Sequence, residues 1–99
     1  MRYTHFDIIP AINNFAKQSS KSYYDEFYIG ITNDPQRRLA EHNVDPHTGR
    51  FVWYEATNKT TAQTVEEYFL SKGMKGDTGG GQLNSTYVYC YEITPYTRQ

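Results

Sequence analysis

The sequence predicts a small α+β domain, with an antiparallel or mixed sheet of three to four strands flanked by about three helices. Three observations point there. Runs rich in aromatic and β-branched residues at 27–32, 51–56 and 86–93 read as strands. Apolar residues at helical spacing, with cap residues in front, mark helices at 8–17, 35–42 and 61–72. The chain of 99 residues suits one core, with a radius of gyration of roughly 13 Å.

The elements follow in order. Residues 8–17 carry an apolar stripe of Ile8, Ile9, Ala11, Ile12 and Phe15, with Asp7 placed to cap the helix and Pro10 in its first turn. A polar loop follows at 18–22. Tyr23 and Tyr24 offer a short strand before a turn at Asp25-Glu26. Phe27–Thr32 alternates: Phe27, Ile29 and Ile31 share one face, Tyr28 and Gly30 the other. Asp34 then reads as an N-cap and Pro35 as the first helical residue. After turns at Asp45-Pro46 and Thr48-Gly49 comes the strand 51–56. Thr60 or Thr61 caps the next helix, and Gly73 stops it. A glycine-rich stretch precedes the last strand, where Tyr87, Tyr89 and Tyr91 oppose Val88 and Cys90. We expect one domain over 1–99, with residues 1–22 a helical extension and 94–99 a tail.

Composition narrows the function. Lys+Arg (10) nearly cancels Asp+Glu (11), and 37% of residues are hydrophobic. That mix is unlike a highly charged disordered tail. A net charge of −1 argues against coating nucleic acid by bulk charge, yet leaves room for a local basic patch. No apolar run reaches the ~18–20 residues of a membrane span, and no signal-peptide core opens the chain. A single cysteine, Cys90, excludes an internal disulfide framework and a Cys-rich zinc site, and suits the reducing cytoplasm. Ten tyrosines favour strands and polar-tipped pockets.

Two places carry possible chemistry. Arg38 and His42 are four residues apart, so they share a helix face, and a tight turn can bring Tyr28 beside them. Arginine grips phosphate oxygens with a fork of donors, while imidazole and phenol move protons. Spacing alone is better served by a solvated basic face above a half-buried tyrosine, since exposed Arg and His need no special reason. On the helix 61–72, Ala62, Val65, Phe69 and Leu70 form an apolar arc that includes Glu66 but not Glu67. A carboxylate there is costly unless paired, protonated or bound to a cation. Either a metal ligand or an edge-seated ion pair satisfies the angles. The glycines at 79–81 do not form a phosphate loop, because neither the P-loop pattern nor a following helix is present. His5 and His47 lack metal-ligand spacing and read as surface residues.

Taken together, Tyr28-Ile29-Gly30, Arg38, His42 and Glu66 resemble the GIY-YIG nuclease superfamily. The resemblance covers roughly residues 27–70. Residues 27–43 are similar to the second motif and its helix, residues 52–56 to the third strand, and Ala62–Glu66 to the A-x-x-x-E that carries a metal-binding carboxylate. The departure is the first motif, since residues 14–19 hold no tyrosine. Tyr23 or Tyr24 can fill the role on a short hairpin. The strand 86–93, with Tyr89 as the first-motif tyrosine, fills it better, as in a circular permutation; it should then pair beside Phe27–Thr32. Asn84 matches the family's late asparagine.

The resemblance implies metal-dependent hydrolysis of a nucleic-acid phosphodiester, with DNA the expected substrate and Mg²⁺ or Mn²⁺ held at Glu66. It assigns catalysis to Tyr28, Arg38, His42 and Tyr89, and substrate contact to Arg37 and Asn84. Affinity would need Arg37, Arg38, Arg50, Lys59, Lys72 and Lys75 near one face. Target choice would come from a homodimer, a protein partner or a DNA structure. The competing expectation is a catalytically inactive module of this kind that binds nucleic acid or a protein.

Overall fold

Strand β3 (Tyr87–Glu92) runs through the middle of the sheet, between β1 (Phe27–Thr32) and β2 (Phe51–Glu55), antiparallel to both. The C-terminal strand therefore lies beside 27–32, where Tyr91 faces Tyr28 and Tyr89 faces Gly30. On its other side Tyr91 faces Phe51 and Tyr89 faces Trp53. The computed structural model describes residues 1–19, 21, 23–76 and 85–99. Asn84 and the glycines at 79–81, singled out above, lie outside the described residues.

Tyr23 and Tyr24 do not form a strand. Residues Tyr24–Glu26 make a single 3₁₀ turn. The chain leaving the third helix already takes the outer edge of β1: the Ile29 N–H donates to the Lys75 carbonyl, and the Lys75 N–H to the Phe27 carbonyl, each at 2.9 Å. Tyr24 instead turns its hydroxyl to Asn13, at 2.8 Å, and its ring toward Phe69. Among the described residues the sheet is three-stranded and antiparallel, with parallel pairing confined to isolated bridges at Tyr3–Ala56 and Tyr28–Lys75.

Among the described residues, three α-helices cover the sheet. Helix α1 (His5–Lys17) starts earlier than expected, because Thr4 takes the cap and its N–H and hydroxyl both donate to Asp7. Asp7 thus serves from inside the first turn, and Pro10 lies within the helix rather than at its start. Helix α2 (Pro35–Glu41) is capped as the sequence implies: Asp34 accepts from the Arg37 N–H, Pro35 stands at the start, and His42 closes the end as C-cap. Helix α3 (Lys59–Lys72) is capped by Asn58, not by Thr60 or Thr61. The Asn58 side chain accepts from the Thr61 N–H at 2.8 Å. Gly73 ends it at φ 110°, a left-handed position that glycine adopts without a Cβ penalty.

Helices α1 and α3 pack on one face of the sheet. Ile8, Ile12, Phe15, Val65 and Phe69 bury against Phe27, Ile29, Ile31, Val88 and Cys90 there. Helix α2 packs on the other face, where Leu39 and Val44 join Tyr28, Tyr89 and Tyr91. The strand alternation read from the sequence thus divides the protein into two unlike layers.

Candidate functional site

The second layer holds four of the residues singled out by sequence. Tyr28 stands on β1, Tyr89 beside it on β3, and Arg38 and His42 on the last turn and C-cap of α2. Gly30 explains how they meet. A Cβ at Gly30 would fall 2.5 Å from the Tyr89 ring, so the absent side chain is the space through which Tyr89 crosses toward α2.

His42 is the hub. Its Nε2 lies 2.8 Å from the Tyr89 hydroxyl and 3.3 Å from the Arg38 guanidinium. Its Nδ1 lies 2.6 Å from the main-chain carbonyl of Arg98. A carbonyl can only accept, so Nδ1 carries the proton and Nε2 presents its lone pair to Tyr89 and Arg38. The Tyr28 ring packs 4.5 Å from the imidazole and stacks on Tyr91 at 5.2 Å and 17°. Arg38 bridges outward to Glu41 at 2.7 Å. Of the four, only Arg38 has substantial access to solvent, at 33% of its side chain; Tyr28 and His42 are 4% exposed and Tyr89 1%.

The charges are coupled. Burial pushes the Tyr89 phenol well above its ordinary range, Arg38 pulls it back, and Tyr28 and Glu66 push it further up. Tyr91 is raised for the same first reason. Burial alone would lower Arg38; the hydrogen bond to Glu41 and the field of Tyr89 outweigh it, so the guanidinium stays firmly charged. The exposed Glu41 is held below the ordinary carboxylate range chiefly by the Arg38 hydrogen bond.

Glu66 is buried on α3 with Ala62, Val65 and Phe69, while Glu67 is exposed, as the helical angles imply. Its charge is felt at Tyr89, which ties it electrostatically to the cluster. No group of three or more His, Cys, Asp or Glu that could hold a metal is present among the described residues. A Mg²⁺ ion needs no such cage. It binds through one or two carboxylates, with waters and substrate phosphate completing the shell. Among the described residues Glu66, 5% exposed, is the buried carboxylate whose field reaches the cluster.

Other expected residues lie apart. Arg37 points to solvent, donating to Asn33 at 3.2 Å and lying 3.8 Å from Glu41. Arg50 bridges Glu92 and covers the Phe15 ring. Lys72 lies over Tyr68. His47 is exposed, His5 is half-buried and Cys90 is fully buried. No helix among the described residues is long and apolar enough to cross a membrane.

One participant was not visible in the sequence. Residues 94–98 fold back over α2, where the Arg98 N–H donates to the His42 carbonyl at 2.7 Å and the Tyr96 carbonyl accepts from Asn43 at 2.7 Å. The Arg98 carbonyl accepts from both His42 and the Tyr91 hydroxyl, the latter at 3.2 Å. The expected tail is therefore the part that sets the histidine tautomer. It acts through main-chain atoms, which no residue type announces.

No protein-family model, curated protein or solved structure matches the chain.

Proposed function

We propose that the protein is a metal-dependent endonuclease of GIY-YIG type, with Tyr28, Arg38, His42 and Tyr89 as its catalytic group. The observation that carries this reading is the double approach to His42 Nε2 by the Tyr89 hydroxyl and the Arg38 guanidinium, beneath the Tyr28 ring. The placement of β3 beside β1 supports Tyr89, rather than Tyr23 or Tyr24, as the displaced first-motif tyrosine.

Each group has a definite task. Arg38 binds a phosphate oxygen and stabilises charge growing on the phosphoryl group. Tyr89 gives its proton to His42 Nε2 as its oxygen takes a proton from the attacking water. The oxygen–phosphorus bond forms as the bond to the leaving oxygen breaks, and that oxygen is protonated from solvent. The Arg98 carbonyl, facing Nδ1–H, stabilises the imidazolium. Because burial raises the Tyr89 phenol, its deprotonation relies on this acceptor and on Arg38. Mg²⁺ or Mn²⁺ at Glu66, when bound, supplies Lewis-acid stabilisation of the phosphate. The reading implies a cytoplasmic protein acting on DNA, with a second copy or a protein partner supplying target choice.

A second reading is favoured by burial. With three of the four groups nearly closed to solvent, the network can serve as a rigid support for a non-catalytic nucleic-acid-binding module. Plasmid nicking across a Mg²⁺ and Mn²⁺ titration separates the two. The parent should nick; Arg38→Ala and Glu66→Gln should lose that activity, while Arg37→Ala keeps it. Arg38→Ala should also leave the melting temperature nearly unchanged. A parent that never nicks, yet shifts DNA at low salt, would establish the binding module.

A further inference from the structure

A concave pocket next to this cluster takes no part in the chemistry above. It has a volume of about 280 Å³ and is lined by Asn33, Asp34, Pro35, Gln36, Trp53 and Tyr87. The register explains its aromatic wall. Trp53 faces Tyr89 across the strands, and Tyr87, two residues before Tyr89, stands on the same face as its diagonal neighbour. Phe51 stacks on Trp53 at 5.8 Å and 12°, from the Tyr91 side. Phe51 thus covers the indole from one neighbour in the row, and Tyr87 is the next aromatic residue in the other direction, where Trp53 lines the pocket.

The opposite wall comes from the start of α2. Asp34 is turned to the helix, where it accepts from the Arg37 N–H at 3.1 Å. Pro35 is buried, and the exposed Gln36 offers an amide with both donor and acceptor. Arg38 follows Gln36 by two residues, about 3 Å along the helix axis but about 200° round it, so Arg38 is linked to the pocket through the sheet and not along the helix surface. The cross-strand partner of Trp53 is Tyr89, which touches His42. A strand with a phosphate at Arg38 reaches this pocket across His42, Tyr89 and Trp53, which lie between them.

At the lower edge of the roughly 300–1,000 Å³ of small-molecule sites, the pocket has room for a ligand the size of one flat ring system. Aromatic rings and a side-chain amide lining one pocket match a heterocycle with a π-face and a hydrogen-bonding edge. We infer that the pocket between Trp53, Tyr87 and Gln36 holds one unpaired nucleobase of a strand whose phosphate lies at Arg38. This rests on the nucleic-acid reading above and adds to it a substrate class, single-stranded or locally unpaired nucleic acid. A base can lie against the indole only when it is free of its own stack and pair.

Trp53 is the chain's sole tryptophan, so its fluorescence reports the pocket without a label. The test titrates the parent at low salt with a single-stranded oligonucleotide, the matching duplex, and an abasic strand with the same number of phosphates. Quenching by the single strand alone is expected. Anisotropy with a labelled strand should show Trp53→Ala weakening binding about 5- to 140-fold, the range for losing one base–aromatic stack, with partial rescue by Trp53→Phe. Gln36→Ala, on an exposed position, should weaken binding without affecting folding. Single-strand binding that depends on Arg38 but leaves the Trp53 signal unchanged would overturn the pocket and keep the nuclease reading. Equal binding of duplex and abasic strands would also overturn it. No binding of any strand would end both.

Discussion

The two faces of the sheet share one strand and obey different rules. From β3, Val88 and Cys90 enter an apolar layer against α1 and α3, while Tyr89 and Tyr91 enter a polar-tipped layer under α2. On the first face, burial alone raises the Cys90 thiol, and nothing opposes it. On the second, burial raises Tyr89 while Arg38 pulls it back. The apolar layer needs volume, which many residue combinations can supply. The tyrosine layer needs direction, because each buried hydroxyl or ring nitrogen must meet a partner. Among the described residues, every buried side-chain nitrogen and oxygen has one. A layer specified by direction on a frame secured by volume is what a preorganised site requires.

The contrast breaks most visibly at Phe69, which is fully buried in the apolar layer. Phe69→Ala should cost about 3–5 kcal/mol in a denaturant titration. Tyr91→Phe, which removes only the hydroxyl that donates to Arg98, should cost about 0.5–1.5 kcal/mol. Similar losses for both would show that the tyrosine layer is an ordinary second core.

Gly30 sharpens the comparison from the other side. Gly30→Ala adds one methyl group where the Tyr89 ring lies 2.5 Å away. We expect about 1–3 kcal/mol of overpacking and displacement of Tyr89 from His42, visible as altered histidine ring signals by NMR. Unchanged ring signals would mean that Tyr89 relaxes without losing His42.

The smallest effect concerns the rim. Glu41 holds the guanidinium that would hold phosphate. Glu41→Gln should tighten oligonucleotide binding a few-fold at low salt, and the gain should fade as salt rises. The pH dependence has a definite sign. Since Glu41 is depressed from 4.5 in the folded state, the Arg38–Glu41 pair is complete above that value and is lost as pH falls through the lowered pKa. Parent binding should therefore strengthen on acidification, while Glu41→Gln should lack that step.

Much of this layout was legible in the sequence. Alternation in 27–32 and 86–93 assigned each side chain to its face, and 3.6-residue periodicity separated Glu66 from Glu67. Helical spacing placed Arg38 with His42, now 3.3 Å apart. What stayed hidden has physical reasons. Asn58, Thr60 and Thr61 are all acceptable caps, and only the backbone geometry selects the first. Tyr23 and Tyr24 have strand propensity, but the chain at Lys75 occupies the edge they would need. The Arg98 carbonyl acts 56 residues from His42 through an atom every residue possesses.

The most direct test is Tyr89→Phe, measured for both plasmid cleavage and melting. The substitution keeps the ring over Gly30 and removes only the hydroxyl that faces His42. A general acid–base contribution of this kind is worth about 10²–10⁴-fold in rate. Cleavage should fall by about that factor, while stability changes by about 0.5–1.5 kcal/mol. A Tyr89→Phe protein that nicks DNA as fast as the parent would contradict the account, because the Tyr89–His42 pair would then be packing and not chemistry.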